Sequence, residues 1–305
     1  MALVTAERYN NLRQGVLSVF GTGAGDSGYG QTLTSSTVSS GDLVQASHLN
    51  AIYEDIRKCF KHQTGGNPTA GQLQEVLTTD LVTDDDQTNY KGWDQYEAIV
   101  NPSITFPHNI TDNRLEAHVN QLSVNNAAAA TKTRSSSWNG QIIHVFTVTF
   151  TDEDARRYFF NSGGTIRISG SVNTGSAKDN DWNTMLSSCG TISFGANKTT
   201  QTSGNPIGTV ASGLGNYQLT ASYQDIFSAI DAGGGSYSAN DFKIEAKLDG
   251  TNKIWFTMTY SDDAGGNIDE NVADATATID YTLAQTDVEI DENTIAFAID
   301  GTSTL

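Results

Sequence analysis

From Trp138 onward, apolar and polar residues alternate with a period of two. Residues 142–150 place Ile142, Phe146, Val148 and Phe150 on one face and Ile143, Val145, Thr147 and Thr149 on the other. In 165–172, Ile166, Ile168 and Val172 alternate with Thr165, Arg167, Ser169 and Ser171. In 242–248, Phe242, Ile244, Ala246 and Leu248 alternate with Lys243, Glu245 and Lys247. A turn at Asp249–Gly250 leads into Lys253–Tyr260, where Ile254, Phe256, Met258 and Tyr260 share a face. Ala275, Ala277, Ile279, Tyr281 and Leu283 close the series. Repeated period-two runs predict a mainly β fold, an antiparallel, jelly-roll-like sandwich with one buried and one wet face per sheet. Three short decorating helices are expected at Asp152–Asn161, Asp181–Cys189 and Tyr223–Ala229. Val288, Ile290, Ile295, Phe297 and Ile299 suggest a last strand that pairs with a neighbouring subunit.

The first 65 residues follow a helical period instead. Thr5 is placed to cap a helix with Tyr9, Leu12, Val16 and Phe20 on one face. Ser47 is placed to cap a second, with Leu49, Ile52, Tyr53, Ile56 and Phe60. The two align at an offset of forty: Ala6 with Ala46, Tyr9 with Leu49, Asn10 with Asn50, Leu12 with Ile52, Val16 with Ile56, Phe20 with Phe60. Between them, residues 21–41 read as a Gly/Ser/Thr linker with almost nothing to bury. Two short amphipathic helices on such a linker make no stable core alone. They are expected to dock on a partner, with Leu49, Ile52, Ile56 and Phe60 at the interface; a lid on the same chain's sandwich is the alternative. The domains expected are a helical docking segment (1–66), a connector with short helices (67–133), the β-sandwich (134–284) and a C-terminal strand or arm (285–305). Within the connector, short helices are expected around Leu73–Leu77 and at Trp93–Val100, breaks at Pro102 and Pro107, and a helix or strand over Arg114–Val124.

Composition agrees with a β fold and narrows function. Charged residues make up 17% of the 305, with Thr, Ser, Asn and Gly dominating the polar remainder. The net charge is −18, and all of it lies beyond residue 65, since residues 1–65 hold five basic and five acidic groups. Such a surface repels duplex DNA, so no nucleic-acid partner is expected. No stretch has the length and apolarity of a membrane span or signal peptide, so no membrane insertion is expected either. Cys59 and Cys189 imply no disulfide framework; both read as buried thiols.

Candidate chemistry is sparse. Gly23, Gly25 and Gly28 spell GxGxxG, but the segment before them reads as a helix and the one after as linker, the wrong context for a dinucleotide loop. Asp179, Asp181 and Asn183 open like a calcium loop, yet residue 190 is Gly where a glutamate is required. The acidic loop Asp262, Asp263, Asp269 and Glu270 is a better place for an adventitious cation. Cys59 and His62 have zinc-like spacing without a second pair of ligands, so Cys59 reads as a buried thiol and His62 as a surface residue. His144, within a strand, reads as structural. Carboxylate pairs arise easily among 35 acids, but those here fall at helix starts and turns. Trp138, Trp182, Tyr217 and Tyr237 are candidates for stacking on sugars. No catalytic residue, metal or cofactor is expected.

Several segments resemble virion structural proteins of tailed phages that infect marine cyanobacteria and similar hosts. They are YKGWDQYEA (Tyr90–Ala98), RSSSWNGQIIHVFTVTF (Arg134–Phe150), DARRYFFNSGGTIRIS (Asp154–Ser169), SYSANDFKI (Ser236–Ile244) and YSDDAGGNIDENV (Tyr260–Val272). ASHLNAIYEDI (Ala46–Ile56) and HQTGG (His62–Gly66) resemble the front end of such proteins. The resemblance implies a non-enzymatic component of a virion tail, fibre, baseplate or neck, assembled in the host cytoplasm. Its partners would be copies of itself, as a trimer or a ring, and other virion proteins. A carbohydrate-binding adhesin recognising host-surface glycan is the alternative function, and a glycan depolymerase a more distant one.

Overall fold

The computed structural model describes residues 4–101, 103, 108–111, 114–118, 122–265, 272, 274–284 and 297–304. The chain forms two compact units. The first comprises residues 1–123, 157–163 and 283–295; the second comprises 124–156, 164–282 and 296–305.

In the first unit, Thr5 accepts the Arg8 amide at 3.1 Å and starts helix α1 (Ala6–Val19). Helix α2 (Ala46–Thr64) begins two residues earlier than a Ser47 cap would place it, with Gln45 as its cap and the His48 ring accepting the Gln45 amide at 3.1 Å. Gly65, at φ +83°, ends it in the left-handed conformation that glycine tolerates best. Helix α3 (Trp93–Val100) completes the set. The positions related by the forty-residue repeat are the core positions: Tyr9, Leu12, Val16 and Phe20 pack in one cluster with Leu49, Ile52, Ile56 and Phe60. Leu73, Val76, Trp93, Tyr96, Ile99, Ile110 and Leu115 belong to that cluster too. Each such side chain contributes roughly 1.5–3 kcal/mol by burial. A boundary after residue 66 would cut this core: the first unit runs on to residue 123, through most of the expected connector. Residues 21–41 are no bare linker, since Tyr29 and Val38 are buried in the same cluster.

The second unit is a sandwich of two antiparallel sheets, and the fold is mainly β. Its strands are β1 (Leu122–Thr133), β2 (Gly140–Phe150), β3 (Thr165–Val172), β4 (Thr191–Phe194), β5 (Thr199–Thr202), β6 (Thr209–Val210), β7 (Gln224–Ala229), β8 (Asp241–Asp249), β9 (Lys253–Asp262), β10 (Ala275–Ala284) and β11 (Phe297–Thr304). One sheet has the order β1-β10-β3-β4-β5 and the other β11-β2-β9-β8-β7-β6. The alternation read from sequence is the observed burial: Ile142, Phe146, Val148 and Phe150 face inward, as do Ile254, Phe256, Met258 and Tyr260. The rings of Phe194 and Phe256 meet at 5.4 Å between the sheets. The Tyr260 hydroxyl crosses to donate to the Thr276 carbonyl at 2.9 Å. A Cβ at residue 170 would lie 2.5 Å from that hydroxyl, which explains Gly170.

Helix α4 (Glu153–Asn161) and helix α5 (Ala177–Cys189) occur close to where the sequence places them. The third expected helix is a strand. Gln224–Ala229 forms β7, and a register shift between Asp225 and Phe227 lets the adjacent Ile226 and Phe227 both be buried. That irregularity broke the period of two and made a bulged strand look helical. The C-terminal arm pairs within its own chain: β11 runs antiparallel to β2, from Phe297 opposite Phe150 to Thr304 opposite Ile143. Pro102, Pro107, Asp269, Glu270, Val288, Ile290 and Ile295 lie outside the described residues.

Candidate functional site

The residues expected at a docking interface are not on a surface. Leu49 and Phe60 are 4% and 3% exposed, and Ile52 and Ile56 are fully buried. Their face is covered by α1 and the following segment of the same chain, because the alternative would leave a broad apolar stripe in water. Asp55 interrupts that stripe. Its carboxylate accepts from the Thr34 amide (2.8 Å), the Ser35 amide (2.9 Å) and the Ser35 hydroxyl (2.7 Å). Asn10 makes a two-way clamp on Val38, donating to its carbonyl at 2.9 Å and accepting from its amide at 3.0 Å. Both side chains fasten the supposed linker. Asp55 adjoins Ile56 and lies one turn from Ile52 and Cys59, a spacing that marks it as buried without naming what it binds.

The GxGxxG segment is held by α4. The Arg157 guanidinium donates to the carbonyls of Gly25 and Thr22, the latter at 2.9 Å. The Tyr158 hydroxyl donates to the Thr22 carbonyl at 3.2 Å. Asn161 Nδ2 donates to the carbonyls of Asp26 and Gly28 at 2.8 and 2.9 Å. This segment therefore presents carbonyls, those of Gly25 and Gly28 among them, to donors within the chain, the opposite of a loop presenting amides to phosphate. Arg157, Tyr158 and Asn161 all belong to DARRYFFNSGG.

Arg8 organises the acidic run of the connector. It reaches Asp84 (2.7 Å), Asp94 (2.9 Å) and Glu97 (2.8 Å) and lies over the Trp93 ring at 5.5 Å. Opposing Arg8 favours the charged form of Glu97 and lowers its pKa.

The remaining candidates also have structural partners. Asp179 is the third residue of the α5 capping box with Ser176, and Asp181 accepts from the Gly234 amide at 2.8 Å. Asp262 is not in an exposed loop; it forms an ion pair with Lys178 at 2.7 Å, their side chains 0% and 1% exposed. Cys59 and Cys189 are buried, and burial pushes the Cys189 thiol up to about 12 and the Cys59 thiol well above its ordinary value. His62 is fully buried, not at the surface, edge-on to Tyr29 at 4.9 Å. Desolvation drives its pKa down to about 3. His144 packs edge-on to Tyr260 at 5.7 Å and is lowered to about 4 by burial. Among the described residues, no group of three or more His, Cys, Asp or Glu is placed to hold a metal, and no helix is long and apolar enough to cross a membrane.

Of the aromatics proposed to stack on sugars, Trp138 and Trp182 are buried against each other at 5.6 Å. Tyr217 and Tyr237 are half-buried. A different group was missed by the sequence reading: Lys247 Nζ lies over Tyr223 at 4.5 Å and Trp255 at 5.5 Å. Trp255 Nε1 is fixed on Asp249 at 3.0 Å. Lys247 and Trp255 are cross-strand partners, a relation that requires the β8–β9 register. Comparisons with protein-family models, curated proteins and solved structures each returned no match.

Proposed function

We propose that this chain is a non-enzymatic structural component of a tailed-phage virion, associated with the tail at a fibre, baseplate or neck. The observation that carries the reading is how its polar side chains are used. Asp55, Asn10, Arg157 and Asn161 bind backbone of the same chain, and Lys178 and Asp262 bind each other. These contacts favour a rigid building block over a site poised for turnover. The segment DARRYFFNSGG, which carries much of the resemblance to virion proteins, supplies several of them. Particles purified on a density gradient from a lysed infected culture test the reading. The chain should appear in their peptide mass spectra at a fixed ratio to other tail proteins. Presence in the crude lysate with absence from particles would sink it.

A second reading, a glycan-binding module, is supported by Tyr223, 38% exposed, with Lys247 and Trp255 beside it. On that reading the purified chain binds host cells and Lys247→Ala weakens binding severalfold. Equal binding by parent and variant would remove these residues from consideration.

A further inference from the structure

Among the described residues the sandwich has four strand edges, and they differ in kind. β5 and β6 are four and two residues long. β11 is eight residues long and carries an acid, Asp300. β1 runs for 12 residues and is the outermost strand of the five-stranded sheet. An unpaired edge offers a row of N–H and C=O groups to any strand that approaches, and folded chains usually blunt it with proline, charge or shortness. β1 contains no proline, and its single charged residue is Lys132. That side chain turns toward β11: a Cβ added to Gly301 would lie 3.0 Å from the Lys132 Cε.

Charge separates β1 from most of the molecule. At −18, two copies repel over much of their surfaces. Residues 117–151 contain no Asp or Glu. Of two other long acid-free runs, residues 155–178 hold the interior strand β3, and residues 182–224 supply only the two short edges β5 and β6.

The register fixes which groups point outward. The Arg134 amide donates to the Ala275 carbonyl at 2.9 Å. The hydroxyls of Thr133 and Thr276 lie 3.1 Å apart, and those of Thr131 and Thr278 3.4 Å apart. Backbone directions alternate along a strand, so residues 129, 131 and 133 turn their N–H and C=O groups away from β10. All three are exposed, and their side chains are small.

We propose that the outer edge of β1 at residues 129–133 is a self-association surface, where two copies of this chain pair antiparallel across a two-fold axis and join their five-stranded sheets. Backbone hydrogen bonds supply the attraction, and the acid-free edge lets two strongly acidic molecules approach. The inference does not depend on a virion role.

Two variants of the full chain test it by light scattering after size exclusion, with circular dichroism and thermal melting as checks of folding. Thr131→Pro removes an outward amide while leaving the β1–β10 ladder its hydrogen bonds. Ala129→Asp/Thr133→Asp places like charges on both copies at exposed positions, where folding is least disturbed. The parent is expected to have an even number of subunits, and Thr131→Pro to halve its mass. The Asp variant is expected to dissociate at low salt and reassociate at high salt. A monomeric parent, or a parent mass that the folded variants leave unchanged, overturns the proposal.

Discussion

A buried lysine facing a buried aspartate is tolerated only as a pair. Lys178 and Asp262 each lose their hydration, and the 2.7 Å contact returns part of that cost. Lys178→Met leaves the carboxylate alone in the interior and is expected to cost about 3–5 kcal/mol, while Lys178→Met/Asp262→Leu costs less than the single change. Urea unfolding of both variants checks this, and a double variant no more stable than Lys178→Met would contradict it. His62 gives stability a pH dependence. The folded chain holds it neutral, with a pKa of about 3, whereas the unfolded chain binds a proton near the ordinary value of about 6.5. Its contribution is therefore intact above that pH and erodes as pH falls toward 3, by up to ~1.4 kcal/mol per pH unit. His62→Phe should make urea midpoints fall less steeply below about pH 6; an unchanged slope would exclude His62 as the cause.

At the level of elements, strands with regular burial were legible in the sequence, and those with an irregularity were not. β2, β3, β8, β9 and β10 alternate because each has one face toward the opposite sheet, and side-chain pattern alone reveals that. β7 contains a bulge, so Ile226 and Phe227 sit side by side and erase the signal. The function of Asp55, Arg157 and Asn161 depended on partners about 20 and 130 residues away, which no local pattern encodes. The C-terminal strand was legible as a strand, but its partner was not, since any exposed edge in any copy would satisfy its hydrogen bonds. With β11 paired to β2, a chain ending at Ala284 should lose amide-exchange protection at alternate positions of β2, while amides bonded to β9 stay protected. Uniform protection along β2 after truncation would argue against that pairing.

Across the whole molecule, composition and charge drew a boundary near residue 65, and packing draws it elsewhere. Residues 73–101 carry the polarity of a connector because many of them face water. Yet Leu73, Trp93, Tyr96 and Ile99 complete the helical core. A chain beginning at residue 67 is therefore expected to expose these side chains, bind a hydrophobic dye and aggregate on size exclusion. A monodisperse, dye-negative product would restore the boundary at 66. The −18 charge lies beyond residue 65, and part of it is locked internally, as Arg8 shows with Asp84, Asp94 and Glu97.

The clasp of Arg157, Tyr158 and Asn161 on residues 22–28 also sets a schedule. The loop leaves the ribosome more than 130 residues before the side chains that fasten it. Synthesis ordinarily lets the front of a chain fold first. Here the N-terminal unit gains this fastening only after β1 and β2 of the sandwich have been made. Nascent helices α1 and α2 thus wait, partly assembled, for a stretch of chain that arrives halfway through translation.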